Sequence, residues 1–336
     1  MSSIAEVKTD FGTAPHSAAR MQKVALIYNP ASGQLFNHRA PHIEGALDVL
    51  RRAGVEAEAI ATTAPGSAAE QVRDCVRRGC DAILACGGDG TVHEVLQSLV
   101  GGDTALGVLP LGTANALASD LGLPLSPVKA MQRLLSATRE RIPVGRIWFR
   151  GNDGTEQSRY FTVAAGIGAD AHLMGRLDSK LKRRLGYALY AVEGIRILAS
   201  HSFPLFEAAF EERKGAQPRV EEVSQVLAVR IRDFGGMVHN LAPGATLRNE
   251  TLRLVAFRTR NRFDYVRFLA AVVFRRHSFH HRIELLDAVS VECRACAGSS
   301  AEVFVEADGE LLGKLPVRLE IVPDALTLLV PPRSIG

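Results

Sequence analysis

Residues 81–95 read DAILACGGDGTVHEV: an apolar run that stops at three glycines around one aspartate and resumes with helical spacing. An apolar run of this length bounded by Gly/Asp turn chemistry predicts a buried strand, and the pattern after the turn predicts a helix. The same unit recurs upstream and downstream. Lys23–Tyr28 (KVALIY) leads into Asn29-Pro-Ala-Ser-Gly33 and a helical pattern over 41–53. Val55–Thr62 is a second strand, followed by a helix within PGSAAEQVRDCVRRG (65–79). TALGVLPLGT (104–113) is another strand and glycine turn, opening into the helix NALASDLGL (115–123). Strands alternating with helices predict an open α/β domain with a parallel sheet covered on both faces, extending to about residue 145.

The texture then changes. From Ile147 onward the apolar runs are short and separated by polar turns: RIWFR, RYFTVAAG, LFEAAFEE, VSQVLAVRI, TLRLVAFRT, AVSVEC, EVFVEA, VRLEIV and LTLLV. This predicts a mainly antiparallel β-sandwich, interrupted by helices at about 173–199 and 262–276. The expected domains are a flexible extension (1–21), an α/β domain (22–145), a β-sandwich domain (146–322) and a last segment (323–336) returning to the first domain.

The 336 residues are 47% hydrophobic and 23% charged, the composition of a globular protein rather than a disordered one. A net charge of +4 is too small to indicate a nucleic-acid binder. Five cysteines, an odd number, with no secretion signal at the start, indicate reduced thiols in a cytoplasmic setting. Cys293-Arg-Ala-Cys296 has metal-ligand spacing but lacks a second pair, so a zinc site is not expected. No uncharged apolar run reaches about 18 residues, so membrane contact, where it occurs, is expected to be peripheral.

Open α/β sheets take ligands at the carboxyl ends of their strands. There Gly87, Gly88 and Gly90 let backbone amides approach an anion without Cβ interference, and the following helix start favours negative charge. Asp89 among them either orients a Mg²⁺ against phosphates or holds the loop in shape. Thr91 and Glu94 also fit the Ser/Thr-x-x-Glu capping box, which explains them without a ligand. The second turn, Pro110–Asn115, has the same setting, with Thr113 as helix cap or ligand contact. Two such turns at neighbouring strand ends wall a nucleotide crevice, although neither matches the Walker or dinucleotide pattern. Far downstream, Asp308-Gly309 between two strand-like runs is a strong hairpin signal.

Taken in order, NPASG (29–33), GGDGTVHEV (87–95), LPLGTANALA (109–118), AAGIGADA (164–171), KRRLGYALYAVEGI (182–195), GGMVHNLAPGA (235–245) and EADGE (306–310) resemble the motifs of the diacylglycerol kinase catalytic-domain superfamily. That group includes bacterial soluble lipid kinases, sphingosine kinases and ceramide kinases. The resemblance covers about residues 22–332. It implies an ATP- and Mg²⁺-dependent kinase phosphorylating a primary hydroxyl of a lipid, most readily diacylglycerol, at a cleft between the domains. By motif, Asn29, Gly33, Thr62 and Thr113 would contact the nucleotide, and Gly87, Gly88, Asp89, Gly90 and Thr91, with Glu94 behind them, would hold the phosphates. Glu310 matches the family's proposed general base, with Asp308 in support and Asp89 a candidate to orient the metal.

Three acidic positions associated in relatives with a structural metal are absent: Ala116, Pro143-Val-Gly145 and Asn249-Glu250 stand in their place. Their joint loss implies that no structural Mg²⁺ of that type binds. NALA (115–118) resembles the sphingosine kinases, which keeps a ceramide or sphingoid-base acceptor open. An NAD kinase-like enzyme and a nucleotide-binding regulator are the remaining alternatives. Two segments, 176–190 and 258–282, place Lys180, Lys182, Arg183 and Arg184, and Arg258, Arg260, Arg262, Arg267, Arg275 and Arg276, beside apolar residues. Such a mix suits an anionic membrane surface, placing the protein transiently at the inner face of the membrane. A homodimer is compatible with all of this.

Overall fold

The computed structural model describes residues 21–30, 39–64, 66–151, 153–169, 171, 202–235, 238–274 and 282–332. The helical segment expected at 173–199, the basic segment 176–190, Gly33, Arg275 and Arg276 lie outside the described residues.

The chain begins with β1 (Lys23–Tyr28), α1 (Arg39–Arg52), β2 (Glu56–Ala61), α2 (Ala68–Arg77), β3 (Ala82–Gly87), α3 (Asp89–Leu96), β4 (Ala105–Pro110), α4 (Ala116–Asp120) and α5 (Pro127–Leu134). The four strands pair in parallel in the order β2-β1-β3-β4. β3 and β4 are buried at all six positions each, as strands covered by helices on both faces must be. α1 packs against α5 and α2 against α3. Gly107, in the middle of β4, keeps the approach close: a Cβ there would sit 2.3 Å from Leu84 Cδ2.

β5 (Thr138–Arg150), β6 (Glu156–Phe161), β7 (Ala164–Gly168), β8 (Phe206–Glu211), β9 (Arg219–Val223), β10 (Gln225–Val229) and β11 (Leu252–Phe257) follow, then α6 (Arg262–Val273), β12 (Ile283–Ala288), β13 (Ser290–Ala295), β14 (Phe304–Ala307), β15 (Glu310–Lys314) and β16 (Val317–Val330). β12-β11-β10-β7-β14-β15 form a six-stranded antiparallel sheet. It faces β16, β13, β8 and β5 across a core that includes Phe149, Phe161, Phe206, Phe210 and Leu254. The fold is thus an α/β unit joined to an antiparallel sandwich.

The join is a continuous sheet. VRLEIV and LTLLV, read as two runs, form one strand, β16, which pairs with β13 at one end and with β4 at the other through Leu328 opposite Leu106. β5 pairs antiparallel with β16 along nearly its whole length, so ten strands make one sheet shared by both halves. The ladder shifts register between Val322 and Leu326, opposite Val144 and Ile142. Such a shift lets a long strand bend, and it lies where the sheet passes from parallel to antiparallel. β5 begins at Thr138, before the texture of the sequence changes, because the polar stretch Thr138–Arg141 pairs with Thr327–Val330 of β16. The five cysteines are all unpaired thiols. Among the described residues, no helix is long and apolar enough to cross a membrane.

Candidate active site

The parallel strands end together. Tyr28 lies opposite Ala61 and Cys86, and Gly87 opposite Pro110, so the segments following all four strands share one edge of the sheet. Asn29 and Thr62 stand one residue beyond β1 and β2, and the Thr62 N–H donates to Tyr28 O at 2.8 Å. Thr113 is exposed in the turn after β4.

The two glycine turns touch. A Cβ on Gly112 would lie 2.3 Å from Gly88 Cα, and one on Gly88 3.3 Å from Gly112 Cα. No side chain fits between them. Gly87 is bare for a different reason: a Cβ there would meet Thr91 Oγ1 at 2.3 Å. Thr91 is therefore buried against the end of β3 rather than capping its helix. The N-cap is Gly88 in extended conformation, with no side-chain cap bond, so the capping box expected from Thr91 and Glu94 does not form. Thr113 likewise caps nothing. Asn115 is the N-cap of α4, in the left-handed region at φ 52°, and its amide spans the turn to Gly112 N (2.8 Å) and Gly112 O (2.9 Å).

Asp89 ties the turns together. Its Oδ1 accepts the Ala116 N–H at 2.8 Å, at the start of α4. Burial pushes this carboxyl above its usual range; the Ala116 N–H opposes that, and the charge of Asp308 adds to it. Of the two roles considered for Asp89, loop-holding is the one with a bond in the structure.

The β14–β15 hairpin reaches this edge from the other half of the molecule. Asp308 (φ 48°) and Gly309 (φ 83°) form its two-residue turn, both in the left-handed region, as a tight hairpin requires. Asp308 is buried. Its Oδ1 accepts the N–H groups of Val163 (2.9 Å) and Ala164 (3.1 Å), and its Oδ2 accepts that of Thr162 (3.0 Å). His93 Nδ1 completes the set at 3.5 Å from Oδ2. A carboxylate offers about four lone-pair sites, and here all are used. Asp308 pins the corner between β6 and β7. Gln97, just past α3, adds a second tie: its amide pairs both ways with the Tyr160 backbone, at 2.9 Å each way.

The next residue, Glu310, is exposed. Its Oε1 lies 3.5 Å from where a Cβ on Gly90 would stand, so the carboxylate rests over the first turn of α3. Residues 220 positions apart are thereby adjacent. His93, only 2% exposed, was visible in the sequence as part of GGDGTVHEV but carried no assigned role. Burial pulls its pKa down. The Asp308 hydrogen bond and the charges of Asp308 and Glu310 outweigh that, and the net shift is upward. No local signal marks this histidine, because its partner comes from a hairpin 215 residues away.

The arrangement combines bare backbone at the strand ends, a helix start, and one exposed carboxylate over it. That is a surface for an anion beside a proton acceptor. Residues 23–147 match the family model described as the diacylglycerol kinase catalytic domain. Residues 162–330 match the one described as the YegS C-terminal NAD kinase beta sandwich-like domain. The chain belongs to the diacylglycerol kinase catalytic-domain superfamily. Among its relatives in this superfamily, a diacylglycerol kinase of Bacillus subtilis (strain 168) is 28% identical over 299 residues, covering 88% of this chain and 92% of the relative. A diacylglycerol kinase of Mycobacterium tuberculosis (strain ATCC 25618 / H37Rv) is 27% identical over 311 residues, covering 92% and 95%. A crystal structure of a diacylglycerol kinase from Bacillus anthracis str. Sterne superposes with a TM-score of 0.72 at 22% identity, covering 93% of this chain and 98% of that one. The superfamily makes this chain a kinase.

Proposed function

We propose that this kinase transfers the γ-phosphoryl of ATP to the primary hydroxyl of a neutral lipid, with diacylglycerol as the leading acceptor. The observation that carries the reading is the placement of Glu310 over the first turn of α3. In it, an exposed carboxylate stands beside a backbone suited to phosphates. On this reading residues 22–145 bind nucleotide, 146–322 bind lipid, and the chain after 322 returns to the first half. Asn29, Gly33, Thr62 and Thr113 face the nucleotide, and Gly87–Thr91, backed by Glu94, hold its phosphates.

In this mechanism the abutting turns present N–H groups to the phosphates, and no Cβ at Gly88 or Gly112 intervenes. Phosphoryl transfer is governed mainly by positioning and charge stabilisation. Glu310 takes the hydroxyl proton as the oxygen commits to phosphorus. Asp308 holds that glutamate in place through the hairpin turn. The glycine backbone and the Asp89 carboxylate beside it would hold a nucleotide that arrives with Mg²⁺, and the ion would supply neutralisation of the phosphate charge.

A lipid acceptor requires access to a bilayer. Five of the ten exposed large apolar side chains among the described residues lie at α6 and its C-cap: Phe263, Val266, Leu269, Val273 and Phe274. They stand apart from the buried face formed by Tyr265, Phe268 and Val272. Arg260, Arg262 and Arg267 are exposed beside them. An apolar stripe flanked by arginines supports transient peripheral contact with an anionic inner-membrane surface, from a cytoplasmic pool.

The test is transfer of labelled phosphate from ATP with Mg²⁺ to diacylglycerol, ceramide, sphingosine and NAD in parallel. Glu310→Gln should lower transfer by about 10²–10⁴-fold while leaving the melting temperature unchanged, because the side chain is exposed. Phosphate on ceramide or sphingosine alone would move the substrate to a sphingolipid. Transfer to no acceptor, or equal activity in the variant, would remove the mechanism.

A further inference from the structure

Arg230 follows β10 directly and is 1% exposed; it heads the fully buried side chains by volume. Its Nη1 donates to Asn249 O (2.7 Å) and Thr251 O (3.0 Å), and its Nη2 to Pro143 O (2.8 Å) and Leu247 O (2.8 Å). All four acceptors are backbone carbonyls. Buried arginines ordinarily pair with carboxylates; none accepts from this one among the described residues. Four carbonyl oxygens converging from two separate segments are the kind of donor set that holds a hard cation.

The location gives the cage a purpose. Pro143 lies on β5 between Ile142 and Val144, where the ladder to β16 shifts register and the shared sheet bends. Leu247, Asn249 and Thr251 belong to the segment entering β11. The backbone N–H of Arg230 donates to Val163 O at 2.9 Å, and the Val163 N–H donates to Asp308. Two residues on, the N–H groups of Arg232 and Asp233 donate to Asp120 Oδ1 at the end of α4 (2.8 and 3.0 Å). One short segment therefore touches the bend, the β6–β7 corner that Asp308 pins, and the helix opened by the second glycine turn.

We propose that Arg230 is a built-in cation: its guanidinium fills a carbonyl cage in place of a metal ion and locks the bend between the two halves. Pro143 and Asn249, at two of the places where the sequence lacks acidic side chains, both give it their carbonyls. Arg230 touches no substrate. It acts on the frame that joins the two halves, and the proposal does not rest on the kinase reading above.

The experiment compares wild type, Arg230→Ala and Arg230→Lys by thermal melting without nucleotide, in EDTA, Mg²⁺, Ca²⁺ and sub-denaturing guanidinium. The wild-type melting temperature should be the same in EDTA as in either metal. R230A should melt lower by about 5 °C or more, and added guanidinium or a divalent cation should raise it again by refilling the cage. R230K keeps the charge but not the planar fork, and should fall between the two. A wild type stabilised by divalent cations, a folded R230A that neither guanidinium nor metal restores, or an R230K with wild-type melting would overturn the proposal. If R230A does not fold, the wild-type and R230K arms still decide it. Melting is read without substrate, so a failed lipid assay leaves this result standing.

Discussion

Replacing Asp308 by asparagine removes one charge from the hairpin and leaves its shape intact, since asparagine tolerates the left-handed φ of 48° that this position adopts. In the native protein three backbone N–H groups, from Thr162, Val163 and Ala164, donate to the carboxylate at 2.9–3.1 Å. The asparagine oxygen can keep the two on Oδ1, now as neutral bonds, while its NH₂ meets the Thr162 N–H donor to donor. Two charge-assisted bonds reduced to neutral ones lose about 1 kcal/mol each, and one buried donor left unpaired costs about 1–3 kcal/mol. The sum is a loss of about 3–5 kcal/mol. Trp148, the single tryptophan, lies in β5 and donates to Glu320 on β16, so its fluorescence reports the sandwich half during urea unfolding. Amide exchange should accelerate at 162–164 in the same variant. Unfolding within about 0.5 kcal/mol of wild type, with those amides still protected, would show that the carboxylate does not hold the corner and would refute the argument.

His93 supplies a pH dependence. Its folded pKa is raised, so its contribution to stability is complete below the unfolded value of about 6.5 and is lost as pH rises through the folded one. The stability gap between wild type and His93→Gln should therefore be widest in mild acid and shrink towards alkaline pH; a gap that widens with pH contradicts the assignment. Gly112→Ala would drive a Cβ to 2.3 Å from Gly88 Cα, and overpacking of this kind costs about 1–3 kcal/mol. ATP affinity by calorimetry should fall at least about tenfold, and native affinity would show that the turns need not touch. Phe263 and Phe274, 80% and 73% exposed, should each add apolar contact with a bilayer. The Phe263→Ser/Phe274→Ser double variant should bind anionic vesicles at least about tenfold more weakly, with unchanged binding excluding α6 as the contact.

Much of the fold was legible because it rests on local chemistry. DAILAC followed by GGDG reads as strand and turn from apolar content and glycine alone, and Asp308-Gly309 reads as a hairpin because two left-handed residues in a row suit few other side chains. The Thr91–Glu94 capping box was the misleading signal. It assumed that a threonine before a helical pattern must cap it, but the helix had already begun at Asp89, and Thr91 is used to fill the space that Gly87 leaves. β5 was missed at its start because Thr138–Arg141 is polar, and only its pairing with β16 makes it a strand.

The sequence by itself determined where the backbone is bare, where strands alternate with helices, and where the texture turns antiparallel, since each depends on residues a few positions apart. Tertiary structure alone decided that the two glycine turns abut, that Asp89 serves the N–H of Ala116, that Asp308 divides its lone pairs between a distant corner and His93, and that Arg230 finds four carbonyls. The physical reason is that a hydrogen-bonding group is assigned by what lies within about 3 Å of it. In this chain those neighbours come from segments as many as 224 residues away, as Gly101 and Ala325 are.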